Sequence, residues 1–324
     1  ISQPSNVDLT WETVNSFDVG VSARIFDRAT INVDFYDKRT ENMLLSIPYS
    51  YTTGFSSGFG NIGSMANTGV DLDVKVDILS GKDYYWNVRA NVNYNNDRIT
   101  KLFNGRDEFT LADYGLQYKV GHSSGEFWQV RYAGVDPRDG KQMWYTKDGN
   151  LTKEFNEERD ALLVGKSMFA PWTGGFGTEA GWKGISVGAD FTWAGEKYLY
   201  NNDNYFIENS AQATSLNQST RMLNIWTTPG QVTDVPAYGE AIQFDDHMLE
   251  NASFLRLKKL TVQYMLPQSL TRKAQIERLN FFFVGRNLWT LTEYTGYDPE
   301  PDTNLVHFNY PNTKQVVFGV ELTF

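Results

Sequence analysis

Apolar and polar residues alternate along most of the chain, and the three- to four-residue spacing of an amphipathic helix is nearly absent. Between residues 70 and 78, for example, five aliphatic residues alternate with four charged ones. Successive side chains of a strand point to opposite faces, so such runs predict strands with one apolar and one polar face. The predicted strands are 11–26, 29–41, 67–79, 83–97, 126–134, 141–146, 173–182, 185–195, 252–267, 276–291 and 313–324.

The connections between these strands alternate between short and long. The short ones are 27–28, 80–82, 135–140, 183–184 and 268–275, and the long ones are 42–66, 98–125, 147–172, 196–251 and 292–312. An outer-membrane barrel has this pattern, with tight turns at the periplasmic end and long loops outside. A compact soluble domain rarely contains so many long loops.

Alternation alone is also typical of any antiparallel sheet with one solvated face, such as a soluble carbohydrate-binding sandwich. Two further features favour the membrane barrel. The polar positions are rich in charge, as a water-filled lumen permits, and aromatic residues lie near strand ends, among them Trp86, Tyr94 and Trp193. The fold predicted is therefore all-β, a transmembrane antiparallel barrel.

The strand count bears on domain organisation. Eleven strands is an odd number, whereas single-chain bacterial barrels have an even one. An open sheet edge in lipid would leave costly unpaired backbone groups. We therefore expect residues 1–324 to form the C-terminal part of a plugged barrel of about 22 strands. The plug domain and the signal peptide are expected to be absent from this chain.

Composition narrows the function classes. The 324 residues include no cysteine, which excludes disulfide frameworks and thiolate metal sites. A net charge of −10 argues against a nucleic-acid partner, because phosphates require a basic surface. A mean hydropathy of −0.45, without an apolar run of about 18 residues, argues against a helical membrane protein.

Several short motifs carry a resemblance to a known family. They lie at residues 9–12 (Leu-Thr-Trp-Glu), 61–71 (Asn-Ile-Gly-Ser-Met-Ala-Asn-Thr-Gly-Val-Asp), 134–140 (Gly-Val-Asp-Pro-Arg-Asp-Gly), 254–258 (Phe-Leu-Arg-Leu-Lys), 285–289 (Gly-Arg-Asn-Leu-Trp), 294–300 (Tyr-Thr-Gly-Tyr-Asp-Pro-Glu) and 310–311 (Tyr-Pro). In this order the set resembles the C-terminal part of SusC/RagA-type TonB-dependent transporters of Bacteroidetes. Asp71 replaces the family's usual Glu, and Arg286 its usual Gln.

The resemblance implies an active importer of oligosaccharides or peptides in the outer membrane. Its expected partners are a SusD-like surface lipoprotein, the TonB complex acting through the plug, and the outer-membrane assembly machinery. No enzymatic activity, cofactor or metal is implied. A passive porin or a structural outer-membrane barrel is the alternative, and a soluble carbohydrate-binding β-sandwich is a more distant one.

The residues themselves offer few catalytic candidates. The three histidines, His122, His247 and His307, are not spaced as metal ligands, and no Gly-x-Ser-x-Gly motif is present. The acid pairs at 245–246 and at 298/300 could in principle serve glycoside hydrolysis. The run 201–204 (Asn-Asn-Asp-Asn) could offer oxygen ligands to calcium, although a polar turn is the simpler interpretation.

Two groups of binding residues are predicted. Loop aromatics that could contact a sugar or the lipoprotein are Trp226, Tyr238, Tyr294 and Tyr297. The last strand carries the apolar residues Phe318, Val320, Leu322 and Phe324 on one face, with Glu321 on the other. The first face is expected to meet lipid. A terminal aromatic residue resembles the signal that the assembly machinery recognises in barrel proteins.

Overall fold

The computed structural model of the protein describes residues 5–111 and 114–324. The strands are β1 (Thr13–Ile25), β2 (Ala29–Pro48), β3 (Ser57–Ser80), β4 (Tyr84–Leu102), β5 (Glu108–Leu111), β6 (Leu116–Lys119), β7 (Glu126–Gln129), β8 (Arg131–Val135), β9 (Gln142–Tyr145), β10 (Leu151–Thr152), β11 (Leu162–Ser167), β12 (Trp172–Trp182), β13 (Ile185–Gly195), β14 (Tyr198–Tyr200), β15 (Leu249–Asn251), β16 (Phe254–Met265), β17 (Arg278–Thr292) and β18 (Gln315–Thr323).

Helices are few and short. The α-helices are α1 (Glu157–Asp160), α2 (Asn202–Ile207) and α3 (Gln268–Thr271). The described 3-10 turns are Tyr51–Thr53, Phe103–Gly105, Ser210–Gln212, Thr220–Asn224, Asp246–Met248 and Arg272–Ala274. Within the described ranges, no helix has the length and apolar character needed to cross a membrane.

The long strands form one antiparallel sheet of nine, in the order β1-β2-β3-β4-β12-β13-β16-β17-β18. Most of their boundaries lie within about two residues of those predicted. The exceptions are β2, β3 and β4, which extend further, so that the predicted long connector 42–66 shrinks to residues 49–56.

The prediction of about eleven barrel strands is wrong for the described chain, which places nine in the main sheet. The predicted strands 126–134 and 141–146 belong instead to two small sheets, β11-β7-β6-β5 and β10-β9-β8. Most side chains of β7 and half of those of β9 are buried. A period of two cannot distinguish a short strand inside a packed loop from one that meets lipid.

Register fixes the two faces of the main sheet. On one face Trp86, Ala180, Val187, Val262 and Phe283 lie opposite one another on successive strands. This face is apolar and largely uncovered. A sheet that faces a bilayer has such a wide apolar surface, whereas soluble proteins rarely expose one.

The long connections 103–171, 196–253 and 293–314 pack together at one end of the sheet, and we call them the cap. Three of the four buried apolar clusters among the described residues lie wholly in the cap, and the fourth joins it to the end of β4. The largest centres on Leu116, Phe127, Tyr200 and Met248. The cap is therefore a packed structure with its own cores.

Candidate functional site

The polar face of the sheet carries a network of amide side chains near the cap. Alternation along β4 places Asn93 and Asn95 on this face, next to Asp71 of β3. Asn93 donates from Nδ2 to Asp71 Oδ1 (2.7 Å) and to Tyr36 Oη (3.1 Å). Tyr36 donates from Oη to Asn95 Oδ1 (3.0 Å). These hydrogen bonds hold the amides in fixed orientations.

Gly69 permits this arrangement. The Tyr36 side chain crosses the glycine, and a Cβ atom at residue 69 would lie 2.2 Å from Tyr36 Oη. Any other residue at this position would displace the tyrosine from Asn93 and Asn95. The glycine of the 61–71 motif thus has a packing role.

A cavity of about 810 Å³ lies between this polar face and the cap. Its wall on the sheet includes Asn67, Asn91, Asn93, Asn95, Asp97, Thr173, Gly175 and Thr192, and its cap side includes Phe169, Lys197, Glu300 and Asp302. Its size matches that of small-ligand sites, and its lining combines amide donors and acceptors with a few aromatic rings. The cavity can therefore hold a polar ligand with many hydrogen-bonding groups.

An ion-pair network closes one side of the cavity. Lys197 is buried and donates from Nζ to Asp302 Oδ1 and to the Glu300 carbonyl oxygen, both at 2.7 Å. Arg256 is also buried; its Nη2 contacts Asp298 Oδ1 at 2.6 Å and its Nη1 contacts Glu300. These contacts fasten the last cap loop to β16 and to the end of β13.

The same network argues against Asp298 as the general acid of a glycosidase. Burial opposes ionisation of Asp298, but hydrogen bonds from Arg256 and from the backbone N–H groups of Asn312 and Glu300 outweigh it and lower its pKa. A general acid for glycoside hydrolysis needs a raised pKa instead. Both carboxylates serve as partners of Arg256.

The second acid pair lies inside the cap. Asp245 is fully buried, contacts His247 and accepts a hydrogen bond from Trp144 Nε1 at 2.5 Å. Asp246 accepts from the backbone N–H of Tyr132 at 2.7 Å, and burial raises its pKa. The pair joins the loop before β15 to β8 and β9, so its visible role is structural.

Most of the chain matches a known protein family. Residues 2–239 match the family described as TonB dependent receptor-like, beta-barrel. The chain belongs to this family. Its members are transporters and receptors with outer-membrane β-barrels, which confirms the predicted fold class and location.

Individual relatives support the family assignment. TonB-dependent receptor P3 of Formosa agariphila is 27% identical over 99% of this chain and 35% of its own length. TonB-dependent receptor SusC of Bacteroides thetaiotaomicron is 23% identical over 98% of this chain and 32% of its own. A chain in a structure of the RagAB peptide transporter is 42% identical, with a TM-score of 0.93, over all of this chain and 37% of that one. The receptor chain thus spans about a third of the length of these relatives.

The four predicted loop aromatics of the receptor have different environments. Tyr294 is buried in a cap cluster with Leu199, and Trp226 donates from Nε1 to the carbonyl oxygen of Pro137 (3.1 Å). Trp226 also packs against Gly140 of the 134–140 motif. Tyr238 and Tyr297 are 70% and 65% exposed. Only the last two are open to a ligand or partner, and their binding role stays a prediction.

The run 201–204 starts α2. Asn201 is its N-cap, accepting a hydrogen bond from the backbone N–H of Asn204 at 3.3 Å. Among the described residues, no group of three or more His, Asp or Glu side chains is arranged to hold a metal ion. The run is thus the start of a short helix rather than a polar turn.

The last strand of the receptor has the predicted faces. Phe318 lies opposite Phe283, and Val320 lies opposite Phe281, on the apolar face of the sheet. Leu322 and Phe324 follow at the same parity and are exposed, whereas Glu321 lies opposite Asn280 on the polar face. Contact of these residues with lipid, and the role of Phe324 in assembly, stay predictions.

The cavity lining is the feature of the candidate site that the sequence pattern did not predict. Its signal was present, because Asn91, Asn93 and Asn95 occupy the polar parity of β4. No local pattern in the sequence indicates the contact between Lys197 and Asp302, because the two residues are 105 positions apart.

Proposed function

We propose that the receptor is an outer-membrane active importer driven by TonB and that it works with a SusD-like surface lipoprotein. Residues 1–324 form the C-terminal part of its barrel domain. A plug domain elsewhere in the full-length protein contacts TonB. The assembly machinery inserts the barrel into the bilayer. The observation that carries the proposal is the polar cavity between the lumenal face and the cap.

Peptides are the substrate class that we favour over oligosaccharides. The cavity wall offers the side-chain amides of Asn67, Asn91, Asn93 and Asn95. Each amide combines a donor and an acceptor, as a peptide backbone does, and can pair with an extended peptide along the strand. The 42% identity to a chain of the RagAB peptide transporter points to the same class. The exposed rings of Tyr238 and Tyr297 are the feature that would suit a sugar instead.

Uptake of labelled peptides and oligosaccharides by cells with and without TonB tests this proposal. Peptide uptake that requires TonB would support active import. TonB-independent uptake would favour a passive porin, and uptake of oligosaccharides alone would overturn the peptide assignment.

Variants locate the site. Asn91→Leu with Asn93→Leu should reduce peptide uptake about tenfold or more, because each buried hydrogen bond lost costs about 1 kcal/mol. Asn87→Leu is the matched control, since Asn87 lies on the same face of β4 but outside the cavity. Equal uptake by both variants at equal surface levels would exclude the cavity as the binding site.

A further inference from the structure

One level of the polar face carries an unusual number of cations. Register pairs connect nine residues, one on each strand of the main sheet: Arg24, Thr30, Lys75, Arg89, Gly177, Asp190, Lys259, Arg286 and Gln315. Residues directly opposite each other point to the same side, so all nine share the polar face. Five are cations and one is an anion. We call this level the cationic row.

Like charges face each other within the row. Lys75 lies directly opposite Arg89, and Lys259 lies directly opposite Arg286. Like charges directly opposite each other on neighbouring strands are destabilising. The single anion, Asp190, is already paired with Arg89.

The pair Lys259–Arg286 is the less compensated of the two, although Asp190 lies directly opposite Lys259, because Asp190 is already paired with Arg89. Lys75 has Asp73 and Asp77 two positions away on its own strand, on the same face. The neighbouring register pair of Lys259 and Arg286 is Thr261 with Val284, which carries no charge. Throughout residues 5–111 and 114–324, neither Lys259 nor Arg286 has a carboxylate within 4.0 Å. An anion bound here would relieve their repulsion.

The row lies next to the polar cavity. Asn91, Gly175 and Thr192 line the cavity, and the row follows two residues further along the same strands, about 7 Å away. A depression of about 270 Å³ includes Arg89 and Asp190 together with Asn91 and Thr192, so it connects the two levels. A molecule that leaves the cavity along the lumenal wall therefore meets the cations next.

We propose that the cationic row, centred on Lys259 and Arg286, binds the carboxylates of acidic peptides as they cross the lumen. The proposal rests on the proposed function, peptide import. Rings of Lys and Arg select anions in membrane pores, and the arginine fork matches a carboxylate. An acidic segment of the full-length receptor is the competing occupant of the row, and the test distinguishes it from cargo.

The test measures peptide binding to the full-length receptor in complex with its lipoprotein. Three peptides of equal length carry Glu, Gln or Lys at alternate positions, and calorimetry gives each Kd. The wild-type receptor should bind the Glu peptide about tenfold more tightly than the Gln peptide, with less preference at high salt. Lys259→Gln with Arg286→Gln should abolish that preference. Arg272→Gln with Lys273→Gln removes the same charge outside the sheet and should retain it.

Three results would overturn the proposal: no preference in the wild-type receptor, an unchanged preference in the Lys259/Arg286 variant, or equal weakening of all three peptides by that variant. The last result would indicate that the row holds a segment of the receptor itself. Uptake of the Gln peptide by cells tests import separately. Normal uptake without a charge preference in binding would support import but contradict the role of the cationic row. A charge preference in binding without any uptake would support the role of the row but contradict import.

Discussion

The nine-stranded sheet and the cap come from the same chain but follow opposite rules of burial. In the sheet, large apolar side chains such as Val187, Val262 and Phe318 are exposed, whereas the polar side chains bond to one another across strands. In the cap, apolar side chains such as Phe127 and Tyr200 are fully buried. We expect this difference if lipid surrounds the outer face of the sheet and water surrounds the cap.

The largest expected effect comes from removing a cap core residue. Phe127→Ala should destabilise the cap by about 3–5 kcal/mol, because a fully buried aromatic ring leaves a cavity. Hydrogen exchange of the β6 and β7 amides in the full-length receptor would measure the loss. Phe318→Ala is the control; Phe318 is 77% exposed and its main neighbour is the Phe283 ring. That change should cost about 1 kcal/mol. Equal costs would contradict a separate cap core.

The second prediction tests the two faces of the sheet. Val262 lies opposite Val187 and Phe283 on the apolar face, and its neighbour Gln263 lies on the polar face. Val262→Arg should destabilise the barrel in a bilayer by about 2–4 kcal/mol if it lies near the midplane. Gln263→Arg should be tolerated in a wet lumen. Urea unfolding in lipid vesicles would measure both, and similar values for the two variants would refute the assignment of faces.

Most strands of the sheet could be predicted from the sequence, whereas the packing of the cap could not. The surroundings of the side chains explain both outcomes. A strand between lipid and water alternates between apolar and polar residues, so β1, β13 and β16 could be placed within about two residues. Strands in the cap are short, and β7 is mostly buried, so a period-two pattern cannot separate them from strands of the main sheet. Long-range pairs leave no local signal either: Arg256 is 42 residues from Asp298. The motifs that contain these two residues were visible, but their contact was not.

The third prediction concerns the end of the sheet. Phe324 follows β18 and is 84% exposed, so its removal takes away little packing within the described chain. Deleting Phe324 should reduce the surface level of the receptor several-fold while substrate affinity of the inserted fraction stays unchanged. Quantitative surface labelling, compared with Thr323→Ala, would measure this. Normal surface levels after the deletion would exclude an assembly role for the terminal aromatic residue.

The smallest expected effect is the change in the stability of the cap when the buried charge of Asp246 is removed. Burial raises the pKa of Asp246, although the hydrogen bond from the Tyr132 backbone N–H opposes this. An acid with a raised pKa in the folded state favours folding most below its unfolded pKa of about 4, and loses that contribution as pH rises through the folded pKa. Asp246→Asn can still accept the Tyr132 hydrogen bond, so it should slightly stabilise the cap at pH 7. The gain should shrink as pH falls toward 4, because wild-type Asp246 then becomes protonated and loses its charge.

Thermal unfolding of the receptor at pH 7 and at pH 4 would show whether the gain in stability shrinks. Asp148→Asn, which removes a carboxylate at an exposed position of the cap, is the control. A gain that is independent of pH would mean that the buried charge is not the cause.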